Sequence, residues 1–68
     1  MAYGTVKWFS DSKGFGYIVA DDTREEFFAH FSEIKSLGPK VLKERQRVKY
    51  EKAIGGPSGK RATEIYTV

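Results

Sequence analysis

Residues 13–18 read KGFGYI, a lysine followed by two glycines alternating with two aromatic rings. On an extended chain, rings two residues apart project from one face, where they can stack on flat ligands while a neighbouring lysine meets an anion. The segment FFAHF at 27–31 repeats the arrangement with Phe28 and His30. Other chemistries fit less well. Gly14-Phe15-Gly16 opens like a dinucleotide fingerprint, but Val19 stands where the third glycine belongs, and no helix follows to hold a pyrophosphate. GPSGKR at 56–61 resembles the end of a P-loop, yet Ile54 occupies the required first glycine and Arg61 the Ser/Thr position. With no cysteine and one histidine, neither a thiolate nor a histidine metal centre can form, and His30 has no thiol to activate. The carboxylate pairs Asp21-Asp22 and Glu25-Glu26 fall in a turn, where solvation is the usual role of such groups. No catalytic residue is expected.

Five segments have the composition and period of strands: YGTVKWFS, FGYIVA, EFFAHF, QRVKYEKA and ATEIYTV. They are separated by DSKG, DDTRE, the long SEIKSLGPKVLKER and the glycine-rich IGGPSGKR, the last read as a flexible loop with a movable Lys60 and Arg61. A single helical turn is predicted at Ser32-Glu33-Ile34-Lys35, with Ser32 as its cap and Gly38-Pro39 as its stop. So short a chain cannot build two packed sheets, whereas closure into a small barrel hides most strand edges. An all-β, OB-type or SH3-like barrel is therefore expected.

Alternation sorts the side chains. Ile18, Ala20, Phe27 and Ala29 point inward with Val6, Ile34, Leu42, Val48, Tyr50 and Ile65, and Phe15, Tyr17, Phe28 and His30 point outward. Strict parity would place Trp8 with Val6, and Phe31 with Phe27 and Ala29, on the inner face unless a bulge intervenes. Gly14 suits a turn with positive φ, and Gly16, bare between two rings, permits close backbone approach.

Sixty-eight residues bound the chain to one domain, 1–68, with a small core. No stretch reaches the roughly 18 apolar residues of a membrane span, and the first residues lack a signal peptide's apolar run. A cysteine-free composition suits a reducing cytoplasm. The formal net charge is +3, unevenly spread: residues 21–34 hold five acids against Arg24, and residues 35–68 hold nine bases against three acids. Rings interleaved with lysines beside a basic half describe a platform for single-stranded nucleic acid.

KWFSDSKGFGYI and FFAHF resemble the two ribonucleoprotein motifs of bacterial cold-shock proteins, and SEIKSLG and LKERQRVKYE follow that family's spacing. The resemblance covers essentially the whole chain. It implies a five-stranded antiparallel OB-fold barrel that binds single-stranded RNA and DNA with low selectivity, often preferring pyrimidines, and acts as an RNA chaperone in translation and transcription. It also implies stacking roles for Trp8, Phe15, Tyr17, Phe28, His30 and Phe31, with an outward Trp8, and polar or phosphate contacts for Lys7 and Lys13. Departures from the family pattern are informative. Phe27 and Ala29 replace two valines at nearly conserved volume. Pro39 replaces an aromatic, which would remove a stacking subsite or leave only a weaker proline–base contact. Arg45 stands where glycine is common. Gly59-Lys60-Arg61-Ala62 replaces G-P-Q-A, with the proline displaced to Pro57, so that Lys60 and Arg61 add phosphate contacts. The resemblance also implies that Glu26, near a position where the family can carry an acid, accepts a hydrogen bond from a base. The expected protein is a cytoplasmic monomer with no cofactor, membrane partner or small-molecule substrate. The rival reading, an SH3-like barrel holding a proline-rich peptide, explains the rings but not the flanking lysines.

Overall fold

The computed structural model describes residues 1–36, 38, 40–55 and 59–68. Five strands, β1 (Ala2–Ser10), β2 (Phe15–Ala20), β3 (Glu26–His30), β4 (Arg47–Ile54) and β5 (Lys60–Thr67), close into a barrel in the order β1-β2-β3-β5-β4. Four seams are antiparallel and the β3–β5 seam is parallel. Arithmetic requires this: strand directions cannot alternate all the way around a ring of odd number. The all-antiparallel barrel is corrected at that one seam, and the OB-type closure stands.

The ten side chains assigned inward by alternation are all buried, joined by Ala62, with Phe9 and Ala2 packed against the cluster. Phe27 and Tyr50 meet with ring centroids 5.7 Å apart at its centre. Burying each of the larger side chains contributes about 1.5–3 kcal/mol, the main force available to a chain without disulfides. The Tyr50 hydroxyl is the exception, buried without a hydrogen-bond partner among the described residues.

Three local features depart from the sequence reading. The helical turn starts one residue early, as a 3₁₀ turn at Phe31–Glu33 capped by His30 rather than Ser32. The chain therefore leaves strand geometry at Phe31, and parity no longer applies there: the ring is exposed, not inward. Lys60 and Arg61 are not on a movable loop but open β5, opposite Ile54 and Ala53. Arg45 adopts φ 69°, a left-handed conformation that glycine takes without steric cost. Pro39 and Pro57 lie outside the described residues, as do the expectations attached to them.

Candidate nucleic-acid interface

The outward face of β1, β2 and β3 is built around one irregularity. Val6 pairs with Ile18 and Trp8 with Tyr17, so Lys7 is an extra residue and β1 bulges there. A bulge places two residues against one and re-aims the side chains that follow. Lys7 and Trp8 both face outward as a result, and Phe9 turns back towards the core. Gly16 makes the bulge possible: a Cβ at that position would lie 2.1 Å from the Trp8 carbonyl oxygen and 2.7 Å from Phe9 Cα. The glycine between the two rings of KGFGYI thus lets β1 close onto β2 and brings Trp8 to the surface.

Cross-strand pairing then assembles the rings. Phe15 lies opposite His30, and Tyr17 opposite Phe28. Trp8 stands 5.8 Å from Phe15 and 5.5 Å from Tyr17, centroid to centroid. Phe28 is 5.6 Å from Phe15, 5.9 Å from Tyr17 and 6.3 Å from His30, and His30 is 4.6 Å from Phe31. Six rings form one continuous strip across three strands and into the 3₁₀ turn. Gly14, at φ 77°, carries the β1–β2 turn; its N–H donates to Ser10 O at 2.7 Å and its carbonyl accepts from Phe31 N–H at 2.8 Å. That second bond ties the last ring of the strip to the first hairpin.

His30 is oriented by its own cap. Its Nδ1 accepts the Ser32 backbone N–H at 3.2 Å and lies 2.8 Å from Ser32 Oγ. An accepting Nδ1 leaves the proton of the neutral ring on Nε2, the nitrogen that remains as a donor.

Charge is distributed around the strip in pairs. Lys7 Nζ donates to Glu26 at 2.7 Å, and Lys60 to Glu25. Farther along the acidic turn, Arg47 grips Asp21 through two bonds of 2.7 and 2.6 Å, and Lys52 holds Asp22 at 3.1 Å. These hydrogen bonds keep the Asp21, Asp22 and Glu25 carboxyls below their ordinary range: Arg47 is the main cause at Asp21, Lys52 with the Thr23 N–H at Asp22, and Lys60 with the Thr23 hydroxyl at Glu25. The acids that the sequence left to solvation are thus each answered by a base. Among the described residues, Lys13 and Arg61 have no carboxylate within ion-pair distance.

Three hollows follow the strip. Tyr17, Glu26, Phe28, Gly59 and Lys60 line one of about 560 Å³, and Phe28, His30, Ser32, Glu33, Arg61 and Ala62 line another of about 250 Å³. The third, about 330 Å³, runs from Lys13 and Gly14 past Phe31 to Lys40 and Val41. All ten residues singled out from the sequence thus border one surface. Lys40, Val41 and Glu33 join it unannounced, because they lie in or beside the long β3–β4 connection, where no periodicity marks a face. No group of three or more His, Cys, Asp or Glu side chains able to hold a metal occurs among the described residues, and no helix there is long and apolar enough to cross a membrane.

A closed five-stranded barrel in this strand order, with a ring-covered face bordered by lysines, defines a small β protein of OB type. The description "'Cold-shock' DNA-binding domain" matches residues 2–68. A "Cold shock protein" of Arthrobacter globiformis is 49% identical over 69 residues, covering 100% of both chains. The "Cold shock-like protein CspA" of Bordetella pertussis is 48% identical over 65 residues, or 96% of each chain. Among solved structures, Drosophila Unr CSD456 superposes with a TM-score of 0.78 at 19% identity, over 98% of this chain and 26% of that one, a likeness of fold. The chain belongs to the cold-shock domain family.

Proposed function

We propose that the chain binds single-stranded RNA and DNA by stacking bases on Trp8, Phe15, Tyr17, Phe28, His30 and Phe31, while Lys7, Lys13, Lys60 and Arg61 meet the phosphates. The observation that carries this reading is the unbroken strip of six rings on the outside of the barrel. Such rings serve any base, each contact being worth about 1–3 kcal/mol, so low sequence selectivity follows. Bases within a duplex are already stacked and gain nothing from the strip. Holding strands single is chaperone work on RNA, non-catalytic and cofactor-free, and the chain performs it as a cytoplasmic monomer whose single domain is the barrel. Pyrimidine preference completes the proposal, since smaller bases crowd least on neighbouring rings 4.6–6.3 Å apart.

Trp8 fluorescence tests it. Trp8 is the only tryptophan, so a base stacked on it quenches a signal without competitors. Titration with an oligothymidine hexamer is expected to give saturable quenching, while a duplex of equal charge gives none. Equal responses would reduce the surface to a basic patch, and no response to either would transfer the rings to a peptide partner.

A further inference from the structure

The barrel carries a second set of exposed rings that the strip does not include. Tyr3 on β1 pairs with Lys49 on β4, and Lys49 pairs with Tyr66 on β5. Directly paired residues share a face, so the three side chains stand side by side across three strands. Tyr3 is 50% exposed, Tyr66 37% and Val68, two residues beyond Tyr66, 69%. Lys49 Nζ sits 5.9 Å from the centre of the Tyr66 ring. Tyr3 is five residues from Trp8 along β1, roughly 16 Å at strand rise, and the row extends from there away from β2 and β3. Between the two ring sets lies the polar contact of Arg47 with Thr5, 3.0 Å long. These are two surfaces, not one.

The charge on the row selects its occupant. Among the described residues, Lys49 has no carboxylate within ion-pair distance, and neither does Lys35, whose N–H donates to Ile65 O beside Tyr66 at 2.8 Å. The nearest acid on β4, Glu51, is already paired with the N-terminal ammonium at 3.3 Å. A second copy docked on this row by a twofold axis through its centre would set Lys49 against its own equivalent, which like-charge repulsion opposes. Two flat rings flanking an uncompensated ammonium instead repeat, in miniature, the chemistry of the main strip.

We infer that the Tyr3–Lys49–Tyr66 row is a second, weaker single-strand site, and that one molecule can hold two strands at once, bridging them. This rests on the function proposed above. With two rings instead of six, the second site fills only after the first. Its consequence is a further activity: two strands held on one small barrel meet at high effective concentration, which favours pairing of complementary segments.

Energy transfer between two oligothymidine hexamers, one carrying a donor and one an acceptor, reads the bridging directly. The strands cannot pair with each other, and the barrel measures 27 × 24 × 18 Å, so co-bound dyes lie within transfer range. At low salt, transfer is expected to rise as protein is added and to fall again when protein exceeds strands. The variant Tyr3→Ser/Tyr66→Ser should lose at least four-fifths of the transfer with Trp8 quenching unchanged within twofold, and Tyr3→Phe/Tyr66→Phe should keep both. If the serine variant fails to fold, Lys49→Glu, which reverses the central charge, is expected to abolish transfer in its place. Normal Trp8 quenching without transfer in the unmodified protein would overturn the second site, as would transfer that survives both the serine and glutamate changes. Failure of Trp8 quenching itself would instead overturn the primary reading, so the two failures are distinct.

Discussion

Phe28 is the hub of the ring strip, within 6.3 Å of Phe15, Tyr17 and His30, yet it stands outside the core. Phe28→Ala should therefore weaken hexamer binding by about 1–3 kcal/mol while the thermal transition remains cooperative, as Trp8 titration beside a circular-dichroism melt would show. Unchanged affinity would move the stacking elsewhere. Glu26 makes a sharper case. The sequence offered it as a base acceptor, whereas the structure gives its carboxylate to Lys7 at 2.7 Å. Lys7 must share its ammonium between Glu26 and a phosphate, so Glu26→Gln should leave it wholly to the phosphate, tightening binding and steepening the log–log salt dependence by up to about 0.7, the increment for one fully neutralised phosphate on a single strand. Weaker binding would show that the carboxylate reads bases after all. Partner choice of this kind was illegible in the sequence because Lys7 and Glu26 are 19 positions apart and meet only once the strands close.

At the scale of elements, period two recovered β2 residue for residue, and the inward sets of β2 and β3 with it. Periodicity failed wherever backbone geometry broke. The bulge at Lys7 inverts the parity of Trp8, and the 3₁₀ turn releases Phe31; in both places the family resemblance supplied the outward ring that alternation could not. β5 begins earlier than its apolar pattern because pairing with β4 recruits Lys60 and Arg61 into the sheet. Gly16 joins these observations to energetics. Any side chain there meets the Trp8 carbonyl, a backbone atom that cannot step aside without undoing the bulge. Gly16→Ala is expected to cost about 2–4 kcal/mol in urea denaturation, at the upper end for a single substitution, and to shift Trp8 emission in the protein that still folds. A loss under about 1 kcal/mol would mean that β1 can reach its register without the close approach.

Across the whole molecule, the uneven charge of the sequence becomes a set of cross-barrel ties: acids of the β2–β3 turn and Glu26 at the start of β3, answered by Lys7 on β1, Arg47 and Lys52 on β4 and Lys60 on β5. The total charge was readable from composition, but the pairing depends on closure, since it joins the middle of the chain to both of its ends. Stability should record these ties on the acid side. Asp21, Asp22 and Glu25 titrate below their ordinary values in the fold, so the unfolded chain takes up protons first as pH falls; their contribution is intact above the usual carboxylate range and is lost as pH drops through the folded values. The alkaline side belongs to the core. Burial pushes the Tyr50 phenol up to about 12 from 10.0, so above pH 10 the unfolded chain loses its proton first and stability declines as pH approaches the folded value. Urea midpoints measured from pH 2 to 12 should therefore form a plateau with two falling limbs of different origin. Salt at 1 M, where the Debye length is about 3 Å, should lower the plateau and flatten the acid limb by screening the exposed pairs. Tyr50→Phe should do the opposite: it removes a buried hydroxyl that has no partner among the described residues, raises the neutral plateau by about 1 kcal/mol, and reduces the alkaline fall. A lower plateau in Tyr50→Phe would mean that the hydroxyl is hydrogen-bonded in solution.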